Sequence, residues 1–135
     1  MRAIALLAAI LVALASPAAA DDLTATAQGV IRAQEQAFGQ DNATTAYSYA
    51  SPGVQAIFPQ ADIFMSMVQK AYRPVYRHKS FEFGETHADG DRIAQQVHII
   101  DANGDAWEAL YTLERQADGS LKITGCSLLK AGQSV

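Results

Sequence analysis

The sequence predicts an α+β domain, with N-terminal helices packed on one face of a curved four-stranded antiparallel meander. Three observations predict it. Between Leu23 and Ala71 the apolar residues recur at helical spacing. Beyond Val75 they alternate with polar ones, as in half-buried strands. Three turn signals of one kind, Ala88-Asp89-Gly90, Ala102-Asn103-Gly104 and Ala117-Asp118-Gly119, cut that second half into four segments.

The chain starts with Met1-Arg2, a short cationic segment, and runs from Ala3 to Leu14 without a charge. Ser16-Pro17 and the small residues Ala18-Ala19-Ala20 follow, and then Asp21-Asp22. This is the layout of a cleavable export signal, with cleavage predicted between Ala20 and Asp21. The apolar run is shorter than the roughly 20 residues a bilayer span needs. Residues 21–135 then form a single α+β domain, periplasmic or secreted and soluble after cleavage. The formal net charge is −4, and removal of Arg2 makes it more negative. Nucleic acids and anionic membranes select basic patches, so the composition argues against both as partners. Cys126 is the only cysteine, so the core must stabilise the domain without an internal disulfide.

The first helix carries Leu23, Ala27, Val30, Ile31, Gln34 and Phe38 on one face and ends at Gly39. Asp41-Asn42 can cap the next, which runs from Ala43 to Tyr49. Ser51-Pro52 pairs a serine N-cap with proline at the first helical position and opens a turn or two through Phe58. Asp62 can cap a longer helix through Tyr72, with Ile63, Met67, Val68 and Ala71 on one side. Arg73-Pro74 ends the helical half.

The strands are predicted at Val75–Glu85, Asp91–Ile100, Asp105–Arg115 and Leu121–Leu129. Three-residue loops set the register. The first loop puts Phe81 opposite Val97 and Phe83 opposite Gln95. The second puts Ile99 opposite Trp107, Val97 opposite Ala109 and Ile93 opposite Leu113. The third puts Leu113 opposite Ile123, Glu114 opposite Lys122, Thr112 opposite Thr124 and Tyr111 opposite Gly125. One face then holds Phe81, Phe83, Ile93, Val97, Ile99, Trp107, Ala109, Tyr111, Leu113, Leu121, Ile123 and Leu129, and the helices must cover it. The other is wet, apart from an apolar patch of Ile100, Leu110, Cys126 and Leu128, which suggests a homodimer contact.

Five runs of residues carry a resemblance: Val30-Ile31-x-x-Gln34-x-x-Ala37-Phe38, Ala46 through Gln55, Val75-Tyr76-Arg77, Ala106-Trp107-x-Ala109-Leu110-Tyr111 and Ile123-x-Gly125-Cys126. Through them the chain resembles the bacterial domain-of-unknown-function family 4864 over nearly all of its length after the leader. Helices followed by a long meander also look like the cone-shaped nuclear transport factor 2-like fold. The resemblance implies that fold, and carries no catalytic motif.

Candidate chemistry is sparse. His98 faces Glu108 across a strand pair, where a carboxylate can orient an imidazole, but both sit on the wet face, where a solvated pair is the commoner meaning. His78, His87 and His98 match no metal-ligand spacing, and no metal or cofactor is implied. Met65 and Met67 face different ways on a helix and read as core filler. Cys126 has no second cysteine to resolve it and no neighbouring charge to activate it. Gln95, opposite Tyr111 on the covered face, either satisfies structural hydrogen bonds or lines a cleft with Trp107, Tyr111 and Tyr49. Two functions follow. One is a non-catalytic module for a small-molecule ligand or a partner. The other is a small cofactor-independent enzyme of isomerase, dehydratase or cyclase type, using a cleft between helices and sheet.

Overall fold

The structure, a computed structural model, describes residues 17–132. The cationic and apolar segments of the expected leader lie outside the described residues. Among the described residues five helices precede the sheet: α1 (Pro17–Gly39), α2 (Ala43–Ser48), α3 (Pro52–Ile57), α4 (Ala61–Ala71) and α5 (Arg73–Tyr76). The strands are β1 (His78–Asp89), β2 (Arg92–Asp101), β3 (Ala106–Arg115) and β4 (Leu121–Lys130). They form one antiparallel sheet in the order β1-β2-β3-β4. The α+β arrangement and the meander are those the sequence predicts.

Helix α1 buries Ala27, Ile31, Gln34, Ala37 and Phe38 against the sheet, the face its periodicity marks. It ends in a Schellman-type turn: Asn42 N–H donates to Ala37 O (2.8 Å) and Asp41 N–H to Phe38 O (3.1 Å). Asp41 takes the left-handed conformation there, at φ 54°. Arg77 grips both of its carboxylate oxygens, at 2.9 and 3.0 Å, and the Tyr76 hydroxyl donates to one of them. Asn42 then caps α2, and Ser51 caps α3 with Pro52 in the first turn.

Two helical expectations need correction. On α4 the buried residues are Phe64, Met65 and Val68, while Ile63 is exposed. Phe64 turns the helix, because its ring packs among Phe38, Tyr47 and Phe58 with centroids 5.6–6.3 Å away. Val75 is not in β1; it lies in α5, whose first turn holds Pro74. Proline is tolerated at the start of a helix as well as after the end of one.

The second and third loops have the expected form, each with a left-handed glycine, Gly104 (φ 89°) and Gly119 (φ 87°). The β2–β3 register is as predicted: Ile99 faces Trp107, Val97 faces Ala109 and Ile93 faces Leu113. The first hairpin is not. Asp89 pairs with Arg92 across a two-residue loop that starts with left-handed Gly90. A bulge at Gly84-Glu85 then shifts the strand, so Phe81 faces Ile99 and Phe83 faces Val97. The β1 register shifts once more between His78 and Ser80, and a bulge also interrupts β4. Leu113 faces Ile123 and Glu114 faces Lys122 as predicted, but Thr112 faces Gly125 and Tyr111 faces Cys126.

The β4 bulge exchanges the two faces of the sheet beyond it. Cys126 and Leu128 turn to the helix-covered side, and Leu129 turns outward and is exposed. The apolar patch expected from Ile100, Leu110, Cys126 and Leu128 therefore loses two members. Leu110 and Leu129 are the large exposed apolar side chains on that face, with Ile100 half-buried beside its strand neighbours.

Candidate functional site

Bulged β4 makes room for a cleft. Its first residues are fastened to the segment before α3: Ser51 N–H donates to Ile123 O (2.9 Å), and Ile123 N–H donates to Tyr49 O (2.8 Å). Farther along, the Tyr72 hydroxyl donates to Cys126 O (3.0 Å). Between these two anchors a cleft of ≈ 230 Å³ opens among α1, α3, α4 and β4. Helix α1 contributes Gln34 and Phe38 to its wall, and α3 contributes Val54 and Ile57. Phe58, Phe64 and Met67 form the opposite side, and Tyr111 with Thr124, Gly125 and Cys126 forms the sheet side. Ile57, 71% exposed, stands at the lip. Tyr47 braces the wall from behind: its hydroxyl donates to Phe58 O (2.5 Å), and Gln55 Nε2 donates back to Tyr47 O (3.0 Å).

Two ionisable groups face the cleft from the sheet. Tyr111 is 2% exposed, and its hydroxyl has one polar partner among the described residues, the sulfur of Cys126. Burial raises the Tyr111 phenol well above its ordinary range, with smaller contributions from Cys126 and Glu35. Burial also pushes the Cys126 thiol up to about 12, so it is no thiolate at neutral pH. Both groups are therefore hydrogen-bonding but uncharged. Gln34, 4% exposed, uses Nε2 on Ala46 O (3.2 Å).

The family model for the domain of unknown function DUF4864 matches residues 20–134. The chain belongs to that family. No curated protein and no solved structure matches it. The runs through which the chain resembles DUF4864 converge on the cleft: Gln34, Phe38, Val54, Val75, Tyr111, Gly125 and Cys126 all line it.

Of the four residues expected to line a site, Tyr111 lines this cleft and the other three do not. Gln95 is fully buried at the first bulge. Its Nε2 donates to the carbonyls of Gly84 (3.2 Å), Glu85 (3.3 Å) and Gln96 (2.8 Å), and its Oε1 accepts from Thr86 Oγ1 (2.5 Å) and Gln28 Nε2 (3.2 Å). Tyr49 packs half-buried against the core, and its backbone carbonyl holds β4. Trp107 lies outside the cleft, in a separate groove beside Arg73 and Arg77, with its indole N–H donated to Asp101 Oδ2 (2.8 Å).

The three histidines sit apart, each with its own acid. His98 Nδ1 lies 2.6 Å from Glu108 Oε1 on the open face, the pairing the register predicts. His87 is 3.6 Å from Glu85. His78 is the half-buried one, 2.6 Å from Glu35 and 2.9 Å from Pro74 O. A carbonyl only accepts, so Nδ1 donates to Pro74 and Nε2 meets the carboxylate. Arg32 completes this cluster at 2.6 Å from Glu35, with its guanidinium 4.7 Å from the Phe83 ring centre. Sequence reasoning missed it because its members come from α1, α5 and β1. Among the described residues no three His, Cys, Asp or Glu side chains come together as a metal site. No described helix is long and apolar enough to cross a membrane.

Proposed function

We propose that this DUF4864 protein is an exported, non-catalytic module that binds a small apolar molecule in the cleft between α3, α4 and β4. One observation carries the reading: the cleft is walled by aromatic and aliphatic side chains and closed at its sheet side by a buried tyrosine. Its two perturbed groups, Tyr111 and Cys126, both keep their protons at neutral pH. That favours binding over proton transfer, because a general base must be able to lose a proton near the working pH. The His98–Glu108 pair, the most enzyme-like feature, lies on the opposite face of the sheet. Export rests on the cationic start, the uncharged run and the small residues before Asp21.

The test is native mass spectrometry of protein expressed with its leader and isolated from the periplasm. The expected species starts at Asp21 and carries a copurified small molecule, and a cleft-filling Val54→Trp variant loses the adduct. A chain that retains Met1 overturns export. Equal occupancy in wild type and Val54→Trp overturns the cleft.

A further inference from the structure

We infer that the ligand of this cleft is an uncharged apolar molecule bearing a hydroxyl group, an alcohol or a phenol, held by Tyr111 and Gln34. The inference rests on the cleft-binding reading above and adds the class of ligand.

Two buried polar groups point to it. Tyr111 is 2% exposed and lines the cleft, yet among the described residues its hydroxyl meets only the Cys126 sulfur. Thioether and thiol sulfurs are weak acceptors, so a good donor is left nearly unused. Gln34 is 4% exposed and lines the same cleft. Its Nε2 is used on Ala46 O, while its Oε1 accepts from no described group. No fully enclosed side-chain N or O among the described residues lacks a partner, so this free donor and free acceptor open onto the cleft, where an occupant can reach both. A ligand that both accepts and donates supplies it, and the smallest neutral group that does both is a hydroxyl.

Charge and size narrow the class. Among the described residues, no lysine, arginine, histidine, aspartate or glutamate lines the cleft. An ionised ligand would lose its hydration there without gaining a counter-charge. Burial keeps the Tyr111 phenol protonated, so it acts as a donor. At ≈ 230 Å³ the cleft is smaller than the roughly 300–1,000 Å³ that hold drug-sized ligands, which fits one ring or a short chain.

The experiment uses four ring-sized probes of matched shape: p-cresol, p-xylene, 4-methylanisole and 4-methylbenzoate. Binding is read by shifts of the Met67 methyl and Gly125 amide resonances. On wild type, p-cresol is expected to bind about thirtyfold tighter than p-xylene, the ratio that two net hydrogen bonds supply. The acceptor-only 4-methylanisole should fall between them, and 4-methylbenzoate should not bind. Tyr111→Phe, which removes one oxygen, should bring 4-methylanisole down to the level of p-xylene and narrow the p-cresol to p-xylene ratio to what the Gln34 bond alone supplies, while p-xylene binding persists. Gln34→Leu should bring p-cresol down to the level of 4-methylanisole. Tyr111→Phe should also melt no lower than wild type without ligand, since its hydroxyl is poorly satisfied in the free protein. A large loss of stability in Tyr111→Phe would show a structural bond to Cys126 and overturn the inference. Equal binding of p-cresol and p-xylene overturns the hydroxyl class and leaves the cleft standing. Failure of every probe to shift Met67 or Gly125 overturns the cleft itself.

Discussion

The inner strand pair and the outer strands of the sheet are built differently. From Arg92–Glu114 to Ile100–Ala106, β2 and β3 pair over nine consecutive positions without an irregularity. Each outer strand carries a bulge, β1 at Gly84-Glu85 and β4 at Thr124-Gly125. The inner register is set by side chains that alternate between a buried and a wet face, where a slip of one residue would invert both. The outer strands answer to groups outside their own ladder. Gln95 reaches from β2 to the two carbonyls that the β1 bulge frees. Residues 49–51 and Tyr72 hold the edge of β4. Regularity marks the part of the sheet that supports, and irregularity the part that shapes a surface. The candidate cleft lies against the β4 bulge.

The largest expected effect comes from breaking the β1 bulge at its centre. Gln95→Leu keeps the volume but strands its part-buried partners, among them the Gly84, Glu85 and Gln96 carbonyls. We expect a loss of roughly 2–4 kcal/mol, less than the sum of about 1–3 kcal/mol for each group, because water can reach these part-buried carbonyls. The companion change Gln28→Ala removes one partner from a less buried position and should cost far less. Urea melts of both variants check this, and a Gln95→Leu protein as stable as wild type would sink the account of the bulge.

Gly84→Ala tests the same bulge from the opposite face. A methyl group there would sit 2.6 Å from His98 Nε2 and 3.0 Å from Gln96 Oε1. Both side chains are tied to Glu108, so neither yields freely. Overpacking of this kind costs about 1–3 kcal/mol. The matched Gly125→Ala change at the β4 bulge meets only Thr112 Oγ1, at 3.2 Å, and should be milder. Thermal melts that reverse this order would show the two bulges to be packed in the opposite sense.

The comparison also explains which parts of the molecule were legible in the sequence. Ser51-Pro52, the last two loops and the β2–β3 register could be read because neighbouring residues determine them. The cleft could not, because it depends on which way Cys126 points, and that depends on a bulge held by Ala50, Ile123 and Tyr72. Both bulges did leave a signal: Gly84 and Gly125 each interrupt a strand pattern, where glycine often marks a bulge. Gln95 was singled out correctly as a buried amide, but its partners are backbone carbonyls freed by the unread bulge. Arg32, Glu35 and His78 were invisible as a group, since only the packing of α1 on the start of β1 joins them.

Acid sensitivity should separate the loops from the strands. The Asp101 carboxyl, at the β2–β3 loop, is held below its ordinary range, first by the Trp107 indole N–H and then by backbone N–H groups of its loop. Asp118, in the β3–β4 loop, is lowered by Ser120, and Asp41 by Tyr76 and then Arg77. A carboxyl with a lowered folded value stabilises fully above its unfolded value, about 3.9, and loses that contribution as pH falls through the folded value. Melting temperature should therefore drop as pH falls below about 4. Asp101→Asn should remove part of that drop, and an unchanged acid limb in this variant would show that the loop carboxylate does not report on folding.

The smallest expected effect concerns His98 and Glu108, the pair that sits on the regular inner strands. Their 2.6 Å contact is as short as that of His78 and Glu35, but the surroundings differ. The His98 and Glu108 side chains are 50% and 35% exposed, against 14% and 13% for His78 and Glu35. Water and salt compete with the exposed pair, and such pairs are worth about 0.2–1 kcal/mol. The half-buried pair also bridges elements, since Pro74 O holds the other nitrogen of His78. Removing one partner there leaves polar groups with little access to water. His98→Asn should thus change stability by less than about 1 kcal/mol, with most of the change gone in molar salt. His78→Asn should cost more and keep its cost in salt. If the two substitutions respond alike to salt, exposure is not what distinguishes these two pairs, and the open face is drier in solution than its accessibility indicates.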